Sequence, residues 1–578
     1  MRKRRLSKRD TQKIFSGRSY FAVCVLALGA VLLMGRAVQL QVVEQDFLHS
    51  QAVKRQVRTI DLAAHRGTVT DRNGEALAVS TPVDSVVVDP GDLLAATEQI
   101  PQLARLLGVN REQLSARLSR NAQRNFLYLK RHLNPADAAR IAEANIAGIL
   151  LEREYHRYYP AAEVTGHLIG FTNIDDIGQE GIELAFDHRL ADRAGKKRVL
   201  IDRFGRSVDD IERIKAPEPG QDIVTSIDLR IQYLAYRELK KAVLKHKAQS
   251  GSAVVVDVNT GEVLALVNQP SYNPNDRSQL QASRYRNRAI TDIFEPGSSL
   301  KPLVVAAALE SGSYTATSRI DTSPGYIQVG AKKIEDDENL GRVGLGTILA
   351  KSSNVGASKL AMSLQPDQLW QVLSDFGLGS PTDSGFPGES AGLLSHFGNW
   401  RPISQATLAY GYGLSMTPLQ LAQAYAAIGA RGLQRPVSLL RLNQPPIPRR
   451  VISEQNAAAV LGLMEQVISP DGTGFRAAVP GYRVAGKTGT TLKFTSGGYS
   501  EDRYTSIFAG VAPASNPQLA VVVVVDEPNN GEYYGGQVAA PVFSSIVAGA
   551  ARILAIPPDD LRDEGQSNRH GLTVAVRE

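Results

Sequence analysis

Glu295-Pro296-Gly297-Ser298-Ser299-Leu300-Lys301 is the stretch on which the reading of this chain turns. Pro296 and Gly297 end one segment, and an apolar helical run through Leu300, Val304, Val305 and Leu309 begins at Ser298. Pro302 fits that helix only in its first turn, where no intrahelical donor is lost. Ser298 is thus predicted at a helix N-terminus, where free backbone N–H groups favour a developing oxyanion. Lys301, three residues on, shares its face and comes within reach of the Ser298 hydroxyl. The ordinary meaning of an isolated Ser-x-x-Lys is a serine cap followed by a surface lysine.

Two later segments change that balance. Ser352-Ser353-Asn354 and Lys487-Thr488-Gly489-Thr490 follow in order. Ser-x-Asn also occurs at Ser119 and Ser271, so the middle motif says little by itself. The order of all three describes an acyl-transfer site whose base is a lysine. A lysine acts as a base only with a depressed pKa, which burial beside a second cation provides, and Lys487 is the candidate second cation. Ser352 then relays protons between the lysines, and the Asn354 amide holds a substrate peptide group. Lys487 to Thr490 lies in strand-like sequence, where Gly489 removes a side chain that would block an approaching backbone. A peptide docks on such an edge by strand addition, its terminal carboxylate reaching the Thr488 and Thr490 hydroxyls.

Around this centre the chain reads as α+β. Gly251 to Leu266 forms two apolar strands about a turn at Asn259-Thr260-Gly261, and Val484–Thr491, Thr505–Val511 and Leu519–Val525 supply three more. Strands at both ends of a long helical middle suggest an antiparallel sheet flanked by helices. The run Val521–Val525 is read as a buried central strand. Upstream, Asn73-Gly74 between apolar flanks predicts a hairpin, with Val83–Val88 as a separate strand. Residues 98–150 read as helices, one capped by Asn110 with Gln113 as its partner, another starting at Asn134-Pro135. Ala216-Pro217-Glu218-Pro219-Gly220 is a domain boundary.

The formal charge of +7 over 578 residues is carried by the first 18 residues, where eight basic side chains face only Asp10. The remainder is neutral, which excludes a basic groove for nucleic acid. Ser19 to Gly35 follows without a charge. It reads as an uncleaved anchor extended to Leu40, Arg36 snorkelling, with the basic flank in the cytoplasm. A cleaved signal peptide shares these features, but no small-x-small site follows Gly35. Cys24, the single cysteine, lies inside the span, so no disulfide is available outside it. The nine histidines are scattered without ligand spacing, and no metal or cofactor is expected. The expected organisation is a cytoplasmic tail (1–18), a transmembrane anchor (19–40), an elongated pedestal (41–218), the catalytic domain (219–557) and a flexible tail (558–578).

At this point the chain resembles the class B penicillin-binding proteins, most closely their septal (division) type, often called the penicillin-binding protein 3 type. The three motifs are those of penicillin-binding proteins and class A β-lactamases. The resemblance extends to Ala64-His65-Arg66-Gly67, Asp71-Arg72-Asn73-Gly74, Arg157-Tyr158-Tyr159-Pro160, His167, Gly170, Gly181 and Glu183. It continues through Gly385-Phe386-Pro387-Gly388-Glu389, Tyr410-Gly411-Tyr412-Gly413 and Tyr534-Gly535-Gly536.

The resemblance implies a monofunctional D,D-transpeptidase of the inner membrane, single-pass with a periplasmic catalytic domain. Ser298 attacks the carbonyl between two D-alanines of a peptidoglycan stem peptide, part of glycan derived from lipid II. Lys301 is its base, Ser352 and Lys487 shuttle the proton, and the N–H groups of Ser298 and Thr490 form the oxyanion hole. Asn354, Thr488, Gly489, Thr490, Tyr534 and Gly535 bind substrate, with Tyr533-Tyr534-Gly535-Gly536 walling the cleft. β-Lactams acylate the same serine. A SEDS-family glycosyltransferase and division proteins are the implied partners. Two other readings stay open: a D,D-carboxypeptidase or β-lactamase-like hydrolase, and a non-catalytic β-lactam-binding scaffold.

Overall fold

The computed structural model describes residues 8–47, 57–201, 207–278, 281–495 and 498–560. The expected tail beyond residue 560 lies outside them. Near the N-terminus, helix α1 (Lys8–Val38) continues into a π-helical turn, Gln39–Val43. Among the described residues Gly17–Val43 is the one helical stretch long and apolar enough to cross a membrane. The remainder separates into two compact units.

The first unit takes in residues up to Ala64, Pro82–Tyr155 and Arg193–Glu218. Its core gathers Val86, Val88, Leu93, Leu103, Leu107, Leu118, Leu133 and Ile141. Asn110 caps the helix Arg111–Arg120 by accepting from the N–H groups of Glu112 and Gln113, and Asn134 caps Pro135–Glu143 through the Asp137 N–H. The helical reading of residues 98–150 needs one correction, because Leu127–Leu133 is a strand between those helices. Leu127, Leu129 and Leu133 fall on alternate positions, and Leu129 and Leu133 are buried, a period of two that the surrounding charges obscure. Val83–Val88 is likewise not a separate strand. The chain runs without a break from Ala76 to Val88, beyond the Asn73-Gly74 turn whose other arm is Val69–Thr70.

The second unit holds His65–Thr81, His156–Asp192 and everything from Pro219. Its centre is a five-stranded antiparallel sheet made of β1 (Ser250–Asp257), β2 (Val263–Gln269), β3 (Ala485–Thr495), β4 (Gly498–Ala512) and β5 (Leu519–Asp526). The strand order is β2-β1-β5-β4-β3. The central strand β5 shows why its sequence is an unbroken valine run. Val521, Val523 and Val525 pack on one face, while Ala520, Val522 and Val524 pack on the other. Helices α2 (Leu229–Lys245), α3 (Lys301–Glu310), α4 (Asn354–Ser363), α5 (Pro418–Gly429) and α6 (Ala540–Ile553) dress it. α2 and α6 cover the first face; α5 covers the second, and α3 belongs to the same core. With no wet face left, polar alternation disappears. The outer edge of β2 is closed by Gln232 of α2, whose side chain exchanges hydrogen bonds of 2.8 Å with the Leu266 N–H and C=O.

The motif residues upstream of the catalytic segment converge on one buried ion cluster in this unit. Arg66 Nε and Arg157 Nε each donate to a different oxygen of Glu183 at 2.7 Å, and Arg66 also reaches Asp187 Oδ1 at 2.7 Å. The Arg66 and Glu183 side chains are 1% and 0% exposed. Glu183→Ala would leave two buried guanidinium groups short of a counter-charge, a loss of about 3–5 kcal/mol. A marked fall in the thermal unfolding temperature of the full-length protein is expected; an unchanged transition would show that the cluster is not needed for stability.

Candidate active site

Ser298 does not open the α-helix directly. Gly297–Leu300 forms a 3-10 turn, and α3 starts at Lys301 with Pro302 in its first turn. Gly297 is required there twice over. Its φ is +55°, and a Cβ would lie 2.2 Å from Cγ2 of Thr491 on β3. The turn is held from below by two groups the motif reading passed over. Ser299 Oγ donates to the Pro296 carbonyl at 2.6 Å, and the buried Tyr425 hydroxyl of α5 donates to the Ser299 carbonyl at 2.7 Å.

Lys301 points its ammonium at the Ser-Ser-Asn segment. Nζ donates to Ser352 O, to Ser352 Oγ at 3.1 Å and to Asn354 Oδ1 at 2.8 Å. Three donors meet three acceptors, which describes the charged form. The side chain is 0% exposed, and that burial lowers its pKa to about 7 against the opposing pull of Asp336 and Asp337. Lys487 is equally buried. Its pKa is pushed well below the usual lysine value by desolvation and then by the charge of Lys301. Lys487 Nζ donates to Thr488 O at 3.1 Å and Thr488 Oγ1 at 3.0 Å.

The Ser-Ser-Asn segment owes its shape to a residue sequence reasoning missed. Ser352 sits in the left-handed region at φ +58°. Ser353 then caps α4, accepting from Gly356 N at 2.8 Å. Asp336 completes the cap: its carboxylate accepts from the Ser353 hydroxyl, from Asn354 N and, at 3.0 Å, from Val355 N. An anion at a helix N-terminus is well placed, and here it pins the segment that supplies all three acceptors of Lys301. The signal available was the acidic run Glu335-Asp336-Asp337-Glu338. Glu295 was also overlooked as a contact group. Its Oε1 accepts from Gly413 N at 2.8 Å and Tyr499 OH at 2.9 Å, tying the Tyr410–Gly413 loop to the strand behind Ser298.

β3 is the terminal strand of the sheet, so among the described residues its outer edge has no neighbouring strand. Gly489 serves a different neighbour from the one expected. A Cβ there would come within 2.9 Å of the Pro296 carbonyl, so the backbone it accommodates is the chain's own nucleophile turn. Thr488 Oγ1 meets Thr473 Oγ1 at 2.9 Å, and Gly535 N donates to Thr490 Oγ1 at 2.9 Å. Gly535 lies so close to β3 that a Cβ would be 2.3 Å from Gly489 O.

Two cavities meet at Ser298, and Asn354 and Thr490 line both. One, of about 480 Å³, includes Ser352, Thr488, Lys351, Arg476, Tyr533 and Tyr534. The other, of about 320 Å³, is walled by Lys332, Tyr410, Tyr412 and Tyr499. In the larger one the Tyr533 ring stacks on Tyr504 at 4.1 Å, while Tyr534 is 54% exposed and faces it as a wall. All ten residues singled out from the sequence therefore come to one place: Ser298, Lys301, Ser352, Asn354, Lys487, Thr488, Gly489, Thr490, Tyr534 and Gly535. Such a place can present a nucleophile, a low-pKa amine, a relay hydroxyl and hydrogen-bond donors to an acyl group entering from either side.

Comparison with known proteins agrees with this geometry. Residues 251–548 match the penicillin binding protein transpeptidase domain, and residues 61–225 match the penicillin-binding protein dimerisation domain. The chain is 44% identical over 544 residues to the peptidoglycan D,D-transpeptidase FtsI of Escherichia coli (strain K12), covering 93% of this chain and 92% of that protein. It is 41% identical to the probable peptidoglycan D,D-transpeptidase PbpC of Pseudomonas aeruginosa, covering 94% and 97%. Among solved structures, the transpeptidase domain of Burkholderia pseudomallei penicillin-binding protein 3 is 45% identical, with a TM-score of 0.54 over 58% of this chain and 97% of that one. A peptidoglycan synthetase from Bifidobacterium adolescentis is 25% identical with a TM-score of 0.69, over 88% and 99%. With both domains matched and the identity running through almost its whole length, this chain belongs to the penicillin-binding proteins.

Proposed function

We propose that the chain is a membrane-anchored serine D,D-transpeptidase that cross-links peptidoglycan stem peptides during septal cell-wall synthesis. The observation that carries this is that Ser298, at the junction of two cavities, shares its site with two fully buried lysines whose pKa values are depressed.

In this mechanism neutral Lys301 accepts the Ser298 proton while Oγ attacks the carbonyl between the two terminal D-alanines. As a neutral amine Lys301 has one donor fewer, so it gives up its bond to Ser352 Oγ and turns its lone pair to the Ser298 hydroxyl; on taking the proton it regains its third donor. Negative charge on the carbonyl oxygen is met by the N–H groups of Ser298 and Thr490. The C–N bond then breaks. A proton relayed through Ser352 and Lys487 reaches the leaving nitrogen, and D-alanine departs, leaving an ester on Ser298. The amine of a second stem takes the place of the departed one and attacks the ester, and the proton path runs in reverse. By this symmetry the larger cavity receives both the leaving D-alanine and the incoming amine, with Thr488, Thr490 and Arg476 available to a carboxylate. The smaller, tyrosine-walled cavity holds the body of the donor stem. A β-lactam presents the same acyl group with a leaving nitrogen tethered to it, so it acylates Ser298 and remains.

Anchoring through Gly17–Val43, with the basic residues before it retained in the cytoplasm, directs the catalytic unit to the periplasm. The proposal includes a SEDS-family glycosyltransferase and division proteins as partners, on the strength of the likeness to FtsI.

Ser298→Ala is expected to abolish covalent labelling by a fluorescent penicillin, and Lys301→Ala to slow acylation by about 10²–10⁴-fold. Undiminished labelling in the first variant would remove Ser298 as nucleophile. Because Lys301 works in its neutral form, the acylation rate should rise with pH through a midpoint of about 7 and then level off. Asp336 raises the Lys301 pKa. Asp336→Asn should therefore move that midpoint to lower pH, and a midpoint that stays or moves up would contradict the assignment of Lys301.

A further inference from the structure

The loop between β5 and Gly535 carries Tyr533 and Tyr534, and its middle is tied to an element that takes no part in the chemistry. Asn529 N donates to the carbonyl of His246, the residue that ends α2, at 2.7 Å. Asn530 Nδ2 donates to Lys245 O at 3.1 Å, and Asn530 Oδ1 lies 3.3 Å from His246 Nδ1 and accepts from Glu532 N at 3.2 Å. The Glu532 carboxylate stands between basic side chains from two separate elements. One oxygen is 3.5 Å from His246 Nδ1 and 3.9 Å from Lys245 Nζ; the other is 3.9 Å from Arg476 Nη1. Arg476 lines the larger cavity together with Tyr533 and Tyr534. Helix C-termini favour cations, so the end of α2 is where Lys245 and His246 can hold an anion.

Resting on the transpeptidase reading above, we propose that Glu532 is a positioning residue for substrate in the larger cavity. It ties the segment carrying Tyr533 and Tyr534 to the end of α2 and holds Arg476 beside it, placing that guanidinium toward the space where the terminal carboxylate of a D-alanyl peptide sits. Glu532 acts through these neighbours. None of its contacts is with Ser298, Lys301, Ser352 or Lys487. Its removal should weaken capture of the substrate while leaving the bond-forming step unaltered.

The test uses the full-length protein in detergent and a fluorescent penicillin over a range of concentrations, which separates the saturation constant from the limiting acylation rate. Glu532→Gln should raise the saturation constant about tenfold with the limiting rate within about twofold of wild type, the signature of lost binding rather than lost catalysis. Glu532→Asp, which keeps the charge, should recover most of the loss. Glu532→Gln should cost less when added to Arg476→Gln than it costs in the wild type, since part of its effect passes through Arg476. An unchanged saturation constant, or a limiting rate that falls as far as the binding does, would overturn the clamp. Ser298→Ala measured alongside separates the two claims: residual labelling there would sink the transpeptidase reading itself, whereas a normal Glu532→Gln with an unlabelled Ser298→Ala sinks only the clamp.

Discussion

Two lysine side chains buried in one pocket cannot both keep their charge at low cost, and most of the second unit is arranged around that constraint. Lys301 and Lys487 are each 0% exposed, and the charge of one bears on the other. Desolvation on that scale penalises an ammonium by several kcal/mol in order of magnitude, and the fold supplies the compensation asymmetrically. Lys301 receives three acceptors from the Ser352–Asn354 turn and two nearby carboxylates, whereas Lys487 receives only the carbonyl and hydroxyl of Thr488. The consequence is a pair of amines both held below the ordinary lysine value, with Lys301 the better compensated of the two.

The scaffold makes the arrangement rigid. α3 and the Ser298 turn are trapped between β3 and α5. Gly297 clears Thr491, Gly489 clears Pro296, and Tyr425 reaches up to the Ser299 carbonyl. On the other side Asp336 pins the start of α4, so the acceptors offered to Lys301 have little freedom. A sheet covered on both faces gives these attachments a dense, dry backing, which is what an electrostatic site needs to hold its groups in place without rearrangement.

The residues that meet in the candidate site were legible because each lies in a short local pattern. Ser298 and Lys301 are three apart, Lys487 to Thr490 is a single tetrad, and glycine and proline mark the breaks around them. The sheet was legible for the same reason, its strands being runs of β-branched residues between clear turns. What was not legible depends on distance along the chain. Asp336 acts on Ser353 from 17 residues away, and Tyr425 acts on Ser299 from 126. The acidic run around Asp336 does not say which turn it caps, and no local pattern marks Tyr425. Gly489 was assigned an open neighbourhood because the sequence cannot show that Pro296 and Gly535 occupy it. The strand Leu127–Leu133 was hidden by Lys130, Arg131 and His132, which interrupt its apolar alternation.

The central claim is acyl transfer from a serine ester to an amine, and product analysis tests it most directly. The full-length protein would be given a stem peptide ending in D-Ala-D-Ala together with a second peptide bearing a free amine, and the products resolved by mass. The account predicts release of D-alanine in step with a cross-linked product whose yield grows with the amine concentration. Release of D-alanine yielding only the hydrolysed, shortened peptide at every amine concentration would contradict it and identify the chain as a hydrolase.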